Sequence, residues 1–121
     1  MLYFKYIKRQ NPYSIEAVEE LLKKFKNNVS LIKGNSNKLL NKIDMAKINY
    51  VFLDGGHEYK TVMNDLNCCS EVIQNDGVVL CDDYDLHQAP GVKKAIDEFV
   101  ASNNYKCSII CNDRFAKIEK N

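Results

Sequence analysis

The sequence predicts an α/β domain with a mostly parallel sheet, covered by helices on both sides and closed by an antiparallel hairpin. Two short apolar runs, residues 50–53 and 78–81, are typical of buried strands, and a helical repeat of apolar residues separates them. Two further strand-like runs, 105–111 and 115–119, have a connection short enough for a hairpin. Strands that alternate with helices favour a parallel, doubly covered sheet.

The first third of the chain predicts two strands and two helices. Residues 1–8 are strand-like, and Asn11-Pro12 can begin a helix. Residues 29–33 are predicted as the second strand, and Ser36 as the N-cap of a short helix. We expect the helix that follows Pro12 to bury an apolar stripe in the core, made of Ile15, Val18, Leu21, Leu22 and Phe25.

The rest of the chain predicts two longer helices. Residues 59–73 carry apolar side chains at helical spacing, and Asn75-Asp76-Gly77 is typical of a turn before the strand at 78–81. After Pro90-Gly91, a second helical stripe extends from Val92 to Val100.

Composition favours one soluble, cytoplasmic domain over residues 1–121. The 17 Lys and Arg residues nearly balance the 16 Asp and Glu residues, so no overall field favours a nucleic-acid partner. The odd count of five cysteines fits a reducing compartment better than a disulfide framework. No apolar stretch approaches the length of a membrane span, so we expect no membrane partner.

Acidic residues follow both central strands, which predicts a functional site. Asp54-Gly55-Gly56-His57 follows the first strand, and Asp82-Asp83 follows the second. Because ligands bind outside the carboxyl ends of parallel strands, the three carboxylates are expected to converge there. Carboxylates at short distance repel one another, and a bound Mg²⁺, which prefers oxygen ligands, would offset that repulsion. His57, on the rim, could accept a proton from a substrate hydroxyl.

Each of these residues also has a simpler explanation. The glycines after Asp54 can form an ordinary turn, and Asp82-Asp83 can cap loop amides. His57 can be a surface residue at a helix start. Two acidic turns at neighbouring strand ends favour the functional interpretation over the simpler one.

The sequence resembles class I S-adenosylmethionine-dependent methyltransferases, in particular family 24 and the Mg²⁺-dependent catechol and macrocin O-methyltransferases. The resemblance extends from about residue 29 to residue 99. It rests on four segments: IKGNS at 32–36, VFLDGGH at 51–57, NDGVVLCDDY at 75–84 and PGV at 90–92.

The resemblance implies a Rossmann-like three-layer α/β/α fold and a set of roles. Asp54, Asp82 and Asp83 match the family's Mg²⁺ ligands, and His57 matches the position of its catalytic base. Ser36 matches a residue that contacts the adenine of S-adenosylmethionine, and Asp54 and Gly55 lie against that cofactor. The implied reaction is methyl transfer to the hydroxyl of a small-molecule acceptor.

The chain departs from the family where the cofactor's methionine end would bind. The family begins with a strand and a Gly-rich loop, followed by a strand that ends in a ribose-binding acid. Neither is present here, since the five glycines lie elsewhere and Lys8-Arg9-Gln10 follows the opening strand. In the family's strand order, 3-2-1-4-5-7-6, the missing first βα unit supplies the central strand. An upstream segment or a second copy of the chain is therefore an expected partner, unless the sheet closes with a family strand that is placed differently.

Two other functions remain compatible with the sequence. A non-catalytic remnant or interaction module would keep the fold without binding cofactor. A metal-dependent hydrolase would use the same acids and histidine to activate water.

Overall fold

The computed structural model describes residues 14–43 and 47–121. These residues belong to two compact units, one that ends at Gly34 and one that comprises Asn35–Asn121. The predicted strand at 1–8 and the predicted helix start at Asn11-Pro12 lie outside the described residues. The single-domain prediction for residues 1–121 stays a prediction.

Between residues 14 and 34, the described part of the first unit, there is one helix. Helix α1, Ile15–Leu22, continues into a 3₁₀ turn, Lys23–Phe25. Its N-cap is Ser14, whose hydroxyl accepts a hydrogen bond from the amide of Ala17 at 3.1 Å. A polar side chain thus satisfies one of the free amides at the start of the helix.

Two predictions for this unit are wrong. No residue of α1 is buried, and Leu21 and Phe25 are 54% and 48% exposed, so the apolar stripe is not part of a core. Residues 29–33 form no strand. An apolar helix stripe or a strand is stable only against a neighbouring element, and the described residues of this unit supply neither a layer that covers the helix nor a strand that pairs with residues 29–33.

The second unit contains the sheet and the remaining helices. A short helix comes first, and its N-cap is Asn35, one residue before the predicted Ser36. The side chain of Asn35 accepts from the amide of Asn37 at 2.9 Å. The elements are α2 Ser36–Leu39, the 3₁₀ turn Leu40–Lys42, β1 Ile48–Leu53, α3 Tyr59–Val72, β2 Ile73–Cys81, α4 Pro90–Ser102, β3 Tyr105–Ile110 and β4 Phe115–Lys120.

The described strands form one sheet in the order β1-β2-β4-β3. Strands β1 and β2 are parallel, whereas β2 with β4 and β3 with β4 are antiparallel. This order equals the last four positions, 4-5-7-6, of the order that the resemblance implies. The α/β fold class and the C-terminal hairpin are confirmed, and parallel pairing in the described part is limited to β1 with β2.

Strand β1 lies at one edge of the sheet and pairs, among the described strands, with β2 alone. Its alternate side chains Tyr50 and Phe52 are 57% and 48% exposed. This is the edge at which the resemblance places the missing central strand. An open strand edge with aromatic side chains is a template for pairing with another strand.

The predicted turn at Asn75-Asp76-Gly77 is an irregularity inside β2. The register between the two parallel strands shifts between Ile48, which faces Ile73, and Tyr50, which faces Val78. A Cβ on Gly77 would lie 2.6 Å from Cγ1 of the buried Ile73. Glycine is therefore required by close packing at this bulge, not by a tight turn.

The core lies between the sheet and helices α3 and α4. Leu66, Ile96 and Ile118 are its largest fully buried side chains, one each from α3, α4 and β4. Both helices present the predicted apolar stripes to this cluster. The packing fixes the ends of β1 and β2, where the acidic residues follow. Among the described helices, none has both the length and the apolarity that a membrane crossing requires.

Candidate functional site

The ends of β1 and β2 are hydrogen-bonded neighbours. Leu53 faces Cys81 in the parallel register, and the amide of Asp82 donates to the carbonyl of Leu53 at 2.9 Å. The residues after each strand, Asp54 and Asp82, therefore leave the sheet side by side. The prediction that the two acidic turns meet at one edge of the sheet is confirmed.

A small cavity of about 20 Å³ lies at this edge. Five of the predicted site residues line it, and Ser36 is absent from its lining. The remaining lining comes from the ends of the strands and from the two core helices. The lining residues are Leu53, Asp54, Gly55, Gly56, His57, Val62, Asp65, Cys81, Asp82, Asp83 and Val92.

Asp82 forms the tightest ion pair of the site. Its side chain is 6% exposed, and both of its oxygens bind the guanidinium of Arg114, at 2.9 Å from Nε to Oδ1 and 3.0 Å from Nη2 to Oδ2. Oδ1 also accepts from the amide of Asp83 at 2.7 Å. The hydrogen bonds from Arg114 hold the pKa of Asp82 below its ordinary value in spite of burial.

The charges of more than one carboxylate act on Arg114. Its hydrogen bonds and charge interaction with Asp82 raise the pKa of the guanidinium, and the charges of Asp83 and Asp54 add to the rise. Arg114 is the last residue of the turn between β3 and β4, directly before β4 begins. Its carbonyl accepts a hydrogen bond from the amide of Tyr84 at 2.9 Å. The three carboxylates predicted to bind metal thus share one protein cation.

His57 pairs with the third acid of the site. Its Nε2 lies 2.9 Å from Oδ2 of Asp83, and the imidazole is about half exposed. Asp83 has a φ of 58°, a left-handed conformation that is uncommon for a residue with a side chain. A carboxylate at one ring nitrogen fixes the orientation of the imidazole.

Asp65, on helix α3, is a buried acid that the sequence analysis did not single out. Its side chain is 6% exposed, it lines the cavity, and Oδ1 has no hydrogen-bond partner within the described part of the chain. Burial raises the pKa of Asp65, and a hydrogen bond with Ser36 opposes the rise. Ser36 thus acts on the charge of a residue of the site, although it does not line the cavity.

We expect Asp65→Asn to stabilise the fold near neutral pH. Because burial raises the pKa of Asp65, the folded chain holds this proton more tightly, and stability falls as pH rises above about 4. Asparagine removes the ionisation, so the variant should be more stable than the wild type at neutral pH and the gain should vanish in acid. Thermal melts at both pH values measure it, with exposed Asp76→Asn as the control. A gain that is the same at both pH values would contradict this account.

The arrangement of the carboxylates does not fit a divalent cation as it stands. Mg²⁺ requires several free oxygens in octahedral geometry, yet both oxygens of Asp82 are bound by Arg114 and Oδ2 of Asp83 by His57. Over residues 14–43 and 47–121, no group of three or more acidic, histidine or cysteine side chains is placed to hold a metal ion. Metal binding through Asp54, Asp82 and Asp83 stays a prediction.

Two important site residues were missed, for different reasons. Asp65 has a local signal, since it follows Val62 by three residues and precedes Cys69 by four, which places an acid on the buried face of α3. Arg114 has no local signal. It meets Asp82 because β4 pairs with β2, where Cys81 faces Ala116.

The comparisons with known proteins identify the family of the chain. Residues 5–84 match a family described as a methyltransferase domain, Methyltransf_24. A curated relative, an uncharacterised protein R132 of Acanthamoeba polyphaga mimivirus, is 36% identical over 55 residues, which are 45% of this chain and 25% of the relative.

Solved structures of methyltransferases have the same fold. CalS11, a TDP-rhamnose 3'-O-methyltransferase of calicheamicin biosynthesis, is 15% identical with a TM-score of 0.69, over 86% of this chain and 50% of CalS11. The O-methyltransferase NovP is 21% identical with a TM-score of 0.69, over 88% of this chain and 44% of NovP. The SAH-bound methyltransferase PaMTH1 of Podospora anserina is 20% identical with a TM-score of 0.63, over 92% and 58% of the two chains.

The chain spans about half the length of the solved structures that it matches. The family match covers most of the chain and includes both acidic turns that line the cavity. This chain belongs to family 24 of the methyltransferase domains.

Proposed function

We propose that this chain forms the acceptor side of an S-adenosylmethionine-dependent O-methyltransferase that acts on the hydroxyl of a small molecule. The observation that carries the proposal is the pair of His57 and Asp83 beside the cavity at the ends of β1 and β2. Membership of the methyltransferase family supplies the class of reaction.

In this proposal S-adenosylmethionine supplies the methyl group. Ser36, Asp54 and Gly55 would hold it, and the free Oδ1 of Asp65 marks a place for a hydrogen-bond donor of a ligand. Gly55 leaves that carboxyl accessible, since a Cβ at this position would lie 3.5 Å from Oδ2 of Asp65.

His57 acts as the general base. Its imidazole would take the proton of the acceptor hydroxyl, whose oxygen would receive the methyl group that bound S-adenosylmethionine supplies. The carboxylate of Asp83, 2.9 Å from Nε2, orients the ring and stabilises the imidazolium that forms. Asp83 is thus a positioning residue, and His57 the residue that touches the reacting hydroxyl.

The test is transfer of a labelled methyl group from S-adenosylmethionine to a panel of sugar, nucleotide-sugar and catechol hydroxyls. It requires a polypeptide that joins this chain to a Gly-rich strand-loop segment, because the relatives are about twice as long. We expect the label on an acceptor oxygen. Tight binding of S-adenosylhomocysteine without transfer to any acceptor would favour an interaction module, and acceptor cleavage without label would favour a hydrolase.

A further inference from the structure

We propose that Arg114 takes the place of a divalent cation in this site, by binding both oxygens of Asp82 and thereby keeping Mg²⁺ from the three carboxylates. The proposal concerns the same cavity as the methyl transfer proposed above. Its test measures metal binding alone, so failure of methyl transfer would leave it standing.

The contacts of Asp82 are the first argument. Two nitrogens of Arg114 lie 2.9 and 3.0 Å from its two oxygens, and the amide of Asp83 is 2.7 Å from Oδ1. A carboxylate offers about four acceptor positions, and three are in use here. A bidentate guanidinium fills the space in front of both oxygens, which is where a metal ion would have to lie.

The position of Arg114 is the second argument, because the fold fixes it. Cys111, Asn112 and Asp113 all have positive φ, between 54° and 64°, and this turn delivers Arg114 to the start of β4. The guanidinium also lies 5.0 Å from the centre of the Phe115 ring. A cation held by strand pairing, a turn and an aromatic face is a built part of the site.

The charge balance is the third argument. Asp54, Asp82 and Asp83 line one small cavity, and uncompensated carboxylates that share a cavity would repel one another. Arg114 lies opposite Asp82, and His57 lies 2.9 Å from Asp83. The guanidinium of Arg114 thus already brings a positive charge to these acids, and a further cation would be repelled by it.

The exposed fraction of Arg114 makes the proposal testable. Its side chain is 62% exposed, whereas that of Asp82 is 6% exposed. Replacing Arg114 therefore removes a mostly solvent-facing side chain and leaves the acids in place. Arg114→Gln removes the charge, and Arg114→Lys keeps a positive charge that cannot bind both oxygens in the same way.

The experiment titrates the purified chain with Mn²⁺, followed by water-proton relaxation, and with Mg²⁺, followed by thermal melting at matched ionic strength. The wild type and the control Lys106→Gln, which removes a cation from β3, should bind Mn²⁺ only weakly. Arg114→Gln should bind at least tenfold more tightly, and Arg114→Gln with Asp82→Asn should lose that gain. Arg114→Lys should lie between them, and it replaces Arg114→Gln in the comparison if the latter fails to fold.

Two results would overturn the proposal. If the wild type binds Mn²⁺ as tightly as Arg114→Gln, the three carboxylates hold a metal in spite of the arginine. If none of the variants binds, Arg114 is not what keeps metal out of the site. Only a gain that depends on both Arg114 and Asp82 supports the proposal.

Discussion

Replacing His57 by alanine is expected to lower the rate of methyl transfer by about 10²- to 10⁴-fold, the usual contribution of a general base. The imidazole lies at the rim of the cavity, half exposed, with Nε2 2.9 Å from Oδ2 of Asp83. An exposed face lets an acceptor hydroxyl approach the ring, and the paired carboxylate holds the ring in place. Binding of S-adenosylhomocysteine should change little, because His57 is not among the residues assigned to the cofactor.

The matched control is His87→Ala. His87 is the other histidine of the chain, and it lies exposed in the loop before α4. Its replacement should leave turnover within about twofold, since surface changes away from the site have small effects.

The variant Asp83→Asn separates the role of His57 as general base from the role of Asp83 in positioning the imidazole. If Asp83 positions His57, asparagine should lower turnover less than His57→Ala does, because the base remains and only the carboxylate that orients it is lost. Unchanged turnover in His57→Ala would show that His57 is only a loop residue. The site would then lack the base that the proposed function requires.

The sheet and its acidic edge could be predicted because the signals are local. The apolar runs before Asp54 and Asp82 each lie within one strand, and their spacing allows one helix between them. The hairpin of β3 and β4 was predictable for the same reason. The strand order was not, since it came with the family resemblance.

What the sequence did not reveal depends on neighbours distant in the chain. The guanidinium of Arg114 reaches Asp82 through antiparallel pairing of β4 with β2, which no local pattern encodes. The apolar stripe of α1 was predicted to be buried and is not. Helical spacing leads to burial only where another element covers that face of the helix. The pattern of side chains shows which face of an element could be buried, and the packing of other elements determines whether that face is buried.

Arg114→Gln is expected to lower the melting temperature by several degrees near neutral pH. The change leaves the buried carboxylate of Asp82 without its two charged hydrogen bonds, and only the amide of Asp83 remains to stabilise it. Breaking one side of a buried ion pair is destabilising because the remaining charge stays out of water. Lys106→Gln, which removes an equal charge from the same hairpin, should have almost no effect.

The pH dependence tests whether the ion pair is the cause. Because Arg114 lowers the pKa of Asp82 in the folded state, the stability that the pair contributes is present above the unfolded carboxyl pKa of about 3.9 and is lost as pH falls through the folded value. The difference in melting temperature between wild type and Arg114→Gln should therefore be full near neutral pH and shrink below about pH 4. A difference that persists in acid would assign the loss to packing of the arginine on Phe115, 5.0 Å away, and not to its charge.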